Sequence, residues 1–189
     1  NGDGLADLII GADRYDSNNG VVYVFLGSSD VTTTSNTVVD LAASGEVTPS
    51  LIIYGHSGER LGRSVYAGNV NNDSSNGNPV EDIVIGAYYS TPYSDTNRVE
   101  AGAAYVILGR TDLTTTETIT VDLATENAAM TILGAEGGDR LGRSVSSGDI
   151  NGDNYADLIV GAQYADSSTD DNVGATYVIT GSTGITTSN

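Results

Sequence analysis

The chain has 189 residues with 25 Asp and Glu against seven basic residues, all of them Arg, for a formal charge of −18. Such a surface repels nucleic acid and anionic membranes, which makes both poor candidates as partners. There is no Cys, so disulfides and thiolate sites are ruled out. No apolar run reaches the length of a membrane span.

In chain order, the first element is an acidic loop that runs into an apolar strand ending Gly-Ala. It occurs as Asn1-Gly-Asp-Gly-Leu-Ala-Asp7 into Leu8-Ile-Ile-Gly-Ala12, as Asn71-Asn-Asp73 through Asp82 into Ile83-Val-Ile-Gly-Ala87, and as Asp149 through Asp157 into Leu158-Ile-Val-Gly-Ala162. The strand-entry residues Asp7, Asp82 and Asp157 are spaced by 75. A fixed period of this size marks a repeat architecture. The second element is a strand with Tyr at its centre: Gly20 to Gly27, Gly102 to Gly109 and Gly174 to Gly181, carrying Tyr23, Tyr105 and Tyr177. Next comes Val38-Val-Asp-Leu-Ala42, matched by Val121-Asp-Leu-Ala124, which reads as a short extra strand or turn. An outer strand follows, Leu51-Ile-Ile-Tyr-Gly55 and Met130-Thr-Ile-Leu-Gly134. The last element is Leu61-Gly-Arg-Ser-Val65 and Leu141-Gly-Arg-Ser-Val145.

Short β-branched runs between Gly, Asn, Asp and Ser clusters predict an all-β protein without helices. Four strands per unit is the content of one β-propeller blade. Residues 1–60 then form a partial blade, 61–140 a complete one and 141–189 a second partial one. These ten or so strands make two and a half blades. A ring needs at least four, so the segment is expected to be part of a larger propeller, completed by the same longer chain or by neighbouring chains. Asn1 lies inside a loop motif, and further residues are expected before it.

The ordered combination of Leu141-Gly-Arg-Ser-Val145, the Asp149 to Asp157 loop and Leu158-Ile-Val-Gly-Ala162 resembles the FG-GAP repeat. That repeat is the blade unit of the integrin α-subunit propeller and of many bacterial surface proteins. The family's Phe-Gly is Leu-Gly here, and its Pro after Gly-Ala is replaced by Asp13, Tyr88 and Gln163. The resemblance implies calcium in the loops and an extracellular or cell-surface setting.

The loops themselves suit a hard cation. Calcium takes six to eight oxygens. A nine-residue loop offers side-chain oxygens at its positions 1, 3, 5 and 9 and a backbone carbonyl at 7. In the third loop these are Asp149, Asn151, Asp153, Asp157 and the carbonyl of Tyr155. Gly152 eases the sharp turn, and Asn154 tolerates left-handed backbone. The first loop offers Asn1, Asp3, Asp7 and the carbonyl of Leu5, and its first ligand would precede Asn1. The second offers Asn69, Asn71, Asp73 and Asp82, with Ser74 to Pro79 inserted and one carboxylate fewer, so weaker binding or none is expected there unless Glu81 or the inserted backbone substitutes. An Asx-rich turn that needs no metal is the competing explanation.

No catalytic residues stand out. His56 is the only His, so a Ser-His pair has little to draw on. The Arg60/Arg63 and Arg140/Arg143 pairs are expected to meet carboxylates between blades. Loops 13–19, 88–101 and 163–173 differ most between units, which suits contact with a protein or glycan ligand. Tyr88, Tyr89, Tyr93 and Arg98 make the second of these the richest. The expected role is a calcium-binding extracellular propeller for adhesion or surface assembly. A glycan-binding propeller and a structural subunit of an extracellular filament or sheath are the alternatives.

Overall fold

A computed structural model describes residues 1–28 and 48–186. The Val38–Ala42 motif lies outside the described residues. The fold is all-β, a partial β-propeller of side-by-side sheets that do not close into a barrel. Strand β1 (Leu8–Ala12) pairs antiparallel with β2 (Val21–Phe25), which pairs with β3 (Leu51–Tyr54). The next sheet runs from β4 (Leu61–Gly68) through β7 (Asp82–Ala87) and β8 (Ala103–Ile107) to β10 (Met130–Leu133). Between β4 and β7, the insertion folds as a two-residue-strand hairpin, β5 (Ser74–Ser75) and β6 (Asn78–Pro79). The last sheet is β11 (Leu141–Gly148), β12 (Asp157–Ala162) and β13 (Ala175–Ile179).

One strand was foreseen only as a strand or turn. Residues Ile119–Asp122 form β9, which leaves the second sheet's β8–β10 connection and pairs in parallel with β3 of the first sheet. Its Val121, together with Leu123, is buried in the cluster that holds Leu51 and Ile53. Burial of these side chains drives the crossing, and the crossing covers an edge that would otherwise bare unpaired backbone groups. Together β5, β6 and β9 account for the strands beyond the expected ten. Among the described residues the one helical segment, Tyr15–Asn18, is a single turn whose Asp16, Ser17 and Asn18 have positive φ, so it is no amphipathic helix.

The second sheet is buried on both faces. Ile83, Ile85, Ala103, Tyr105 and Ile107 face the first sheet. Val84, Ala104 and Val106 face the third, with Leu158 and Val160. Covering on both sides explains why β7 and β8 read as continuous apolar runs and not as alternating ones.

The Leu-Gly-Arg motif is a bulge. In β4 the register with β7 shifts between Leu61 and Ser64, and in β11 the register with β12 shifts between Leu141 and Ser144. Gly62 and Gly142 take φ of 85° and 83° there, a backbone that glycine adopts without strain. The bulge turns each glycine's carbonyl toward the Gly-Ala strand of the preceding sheet, so that the carbonyl of Gly62 lies against Gly11 and that of Gly142 against Gly86. Backbone bonds complete the junction: the Leu61 amide donates to the Asn19 carbonyl (3.1 Å) and the Leu141 amide to the Ala101 carbonyl (2.9 Å). The motif glycines are thus the places where one sheet touches the next.

Candidate metal centre

The three acidic loops lie at one end of their sheets, and a shared clamp anchors each of them. Asp82 accepts the Val70 amide on Oδ2 and the Gly109 amide on Oδ1, both at 2.8 Å. Asp157 accepts the Ile150 amide (3.1 Å) and the Gly181 amide (3.0 Å) in the same way. Asp7 accepts the Gly27 amide at 2.8 Å and meets the Asn1 ammonium at 3.3 Å. The strand-entry aspartate therefore ties its loop to the glycine that ends the Tyr strand. Gly27, Gly109 and Gly181 were not singled out as functional, although the sequence shows a glycine there each time. Asp82 and Asp157 are fully buried. Burial pushes the Asp82 carboxyl up to about 6 against the pull of its two amide donors, and the nearby Asp73 charge adds to the rise.

The other expected ligands gather around the loop turns. In the third loop, Asp149 accepts the amides of Gly152 (2.6 Å), Asp153 (3.1 Å) and Asn154 (2.8 Å). These bonds, the Asn154 amide foremost, hold its carboxyl below the usual carboxylate range. Asp153 accepts from the Tyr155 amide and the Asn151 side chain at 2.9 Å each. Asn1 and Asp3 repeat the pattern in the first loop, where Asp3 accepts the Leu5 amide (2.8 Å) and is lowered chiefly by that bond. The fourth loop position is left-handed in all three copies, at Gly2, Asn72 and Gly152, and so is the sixth at Gly4 and Asn154.

The second loop differs. Asn69 and Asn71 both accept the Asp73 amide, at 3.0 and 3.1 Å, and Asn71 donates to Asp73 Oδ2. Asp73 Oδ1 is buried and has no hydrogen-bond partner. A buried carboxylate oxygen without a donor is costly, and a cation is the partner that fits it. The inserted hairpin leans on the first loop, with the Asn78 side chain donating to the Gly2 carbonyl at 3.3 Å. Among the described residues no group of three or more His, Cys, Asp or Glu stands close enough to hold a metal. Any ion would depend on asparagine and backbone oxygens as well as on carboxylates.

The family model of the FG-GAP repeat matches residues 1–25 and 141–179. Both segments are similar to the FG-GAP repeat. Each matched segment contains an acidic loop, a Gly-Ala strand and a Tyr strand. A comparison with curated proteins gave no match. No helix among the described residues is long and apolar enough to cross a membrane.

At the opposite end of the sheets, the arginines only partly meet carboxylates. Arg140 bonds Glu100 at 2.9 Å and Arg63 stands 3.9 Å from Asp13. Arg60 and Arg140 instead stack on Tyr89 at 4.4 and 4.5 Å, and Arg143 lies over Tyr88 at 5.2 Å. Tyr88 is buried, so Tyr88 and Tyr89 are mortar between sheets and Tyr93 is the ring left exposed. The residue that follows Gly-Ala meets an arginine of the next sheet, as an ion pair at Asp13 and as a ring contact at Tyr88. This explains why the sequence can vary there.

Glu59 is buried beside this end. It accepts the His56 amide and the Tyr105 hydroxyl, each at 2.8 Å, and burial raises its pKa despite these bonds. A carboxyl raised in the folded state stabilises it fully below the ordinary Glu pKa, and that contribution is lost as pH rises through the raised value. Thermal melts should therefore show stability falling as pH rises above the ordinary Glu range, with Glu59→Gln flattening that slope. An unchanged slope in the variant would remove Glu59 as its origin.

Proposed function

We propose that this chain is part of an extracellular β-propeller module, stiffened by calcium and used for adhesion or surface assembly. The observation that carries the reading is the buried, partnerless Asp73 Oδ1, in one of three loops that repeat the same turn and the same aspartate clamp. Asp149, Asn151, Asp153, Asp157 and the Tyr155 carbonyl would hold an ion in the third loop. Asn69, Asn71, Asp73 and Asp82 would do so in the second, and Asn1, Asp3, Asp7 and the Leu5 carbonyl would contribute in the first. A bound Ca2+ supplies positive charge and oxygen coordination that no side chain in these loops offers. The module is non-catalytic in this reading, which agrees with the usual character of FG-GAP repeats. Its binding surface is made by loops 13–19, 88–101 and 163–173, for a protein or glycan ligand.

The test is thermal melting with calcium and with a chelator, alongside calorimetric titration. An ion present at about 100 times its Kd stabilises by roughly 2.7 kcal/mol, which moves the melting point of a chain this size by about 5–10 °C. An identical melting curve in chelator would reject the reading.

A second reading, a subunit of an extracellular filament or sheath, is favoured by the bare apolar faces at the two flanks. Leu8 in the first sheet and Val178 in the third are each 51% exposed. Both readings require further blades, from a longer chain or from neighbours, to cover these faces.

A further inference from the structure

The connection that carries β9 to the first sheet leaves a cleft of about 520 Å³ against the second sheet. Its walls combine three rings, His56, Tyr93 and Tyr105, with the polar side chains of Ser94, Asn127 and Thr131. We propose that this cleft binds a neutral saccharide. The proposal rests on the reading of loop 88–101 as a recognition surface and gives that surface a ligand class.

Three observations decide the chemistry. First, Tyr93 is 75% exposed yet held in place: its hydroxyl lies 3.0 Å from His56 Nδ1, and the two rings meet edge-on with centroids 4.9 Å apart. A fixed, exposed ring is a platform for the C–H face of a sugar, because the ring offers apolar area at little entropic cost. Second, Tyr105 and Glu59 satisfy one another behind the cleft. Among the described residues the Asn127 amide and the Ser94 and Thr131 hydroxyls have no hydrogen-bond partner, so the groups left for a ligand are neutral donors and acceptors. Third, no arginine lines the cleft, and its one carboxylate, Glu126, accepts the Asp122 amide at 3.3 Å. Phosphate, sulfate and uronate groups therefore find no guanidinium or ammonium to pair with. The volume is that of a small-ligand site, in the range of about 300–1,000 Å³.

The test is NMR titration of the full chain with glucose, galactose, mannose, N-acetylglucosamine and cellobiose, and with tetramethylammonium as a cationic control. At least one saccharide should shift resonances of the cleft residues. Tyr93→Ala should weaken that binding by about tenfold, and Asn127→Ala should weaken it while leaving the melting point unchanged, since both side chains are exposed. No shift with any sugar, binding unaffected by both variants, or shifts with tetramethylammonium alone would each overturn the proposal. The titration is run in calcium and again in chelator. Sugar binding in both conditions sustains the proposal even if calcium has no effect, so the two readings fail separately.

Discussion

Gly86→Ala lowers the stability of this chain by at least about 3 kcal/mol. A Cβ on Gly86 would fall well inside the Gly142 carbonyl oxygen, with the Gly142 carbonyl carbon close behind. Both are backbone atoms held by the β11 bulge, so neither can swing away. Relief requires the second and third sheets to separate, which exposes Val84, Val106, Leu158 and Val160. Gly11→Ala should behave similarly against Gly62. Gly161→Ala is the internal control. It occupies the same motif position, but its Cβ would meet only the Ser144 hydroxyl among near neighbours, and that side chain can rotate. Denaturant melts of the three variants should show two large losses and one change of under about 1 kcal/mol. Equal losses at all three positions would contradict the packing account.

Asp82→Ala is the second large effect. It strands the buried Val70 amide and the half-buried Gly109 amide, and a buried donor left unpaired costs about 1–3 kcal/mol. Removing a carboxylate whose burial already pushes it up to about 6 returns part of that loss. The net expectation is about 3 kcal/mol, present in chelator as well as in calcium. Asp153→Ala gives the opposite signature. Its side chain is exposed and bonds only the Tyr155 amide and the Asn151 side chain. In chelator its melting point should stay near that of the parent chain, and the gain on adding calcium should shrink. Melting curves in both conditions separate the clamp from the ligands. A large chelator-independent loss at Asp153, or a purely calcium-dependent loss at Asp82, would reverse the assignment.

Much of the site was legible before any coordinates. The left-handed positions at Gly152 and Asn154 follow from residue type, since few other residues accept that backbone, and both have positive φ. What spacing concealed was the double duty of the strand-entry aspartates. A ligand list treats Asp7, Asp82 and Asp157 as equals of Asp3 and Asp153, yet Asp82 and Asp157 each also hold two chain amides, and Asp7 holds that of Gly27. The reason is that Gly27, Gly109 and Gly181 lie 20 to 27 residues away and come close only through strand pairing. The stacked arginines were hidden likewise, because Tyr89 joins Arg60 and Arg140 only once two sheets abut.

By itself the sequence determined the unit: an acidic loop, a Gly-Ala strand, a Tyr strand and a Leu-Gly-Arg bulge, repeated at a period that admits only side-by-side sheets. Those features depend on local backbone preference and on alternating burial, which neighbouring residues encode. Only the tertiary structure decided how deeply each copy is buried. Leu8, Ile83 and Leu158 fill the same motif position, yet they are 51%, 7% and 0% exposed. Tertiary contact also decided that β9 would abandon its own sheet for β3. Equivalent apolar side chains differ in this way because burial is set by what packs on the far face, and no residue within a strand specifies that neighbour.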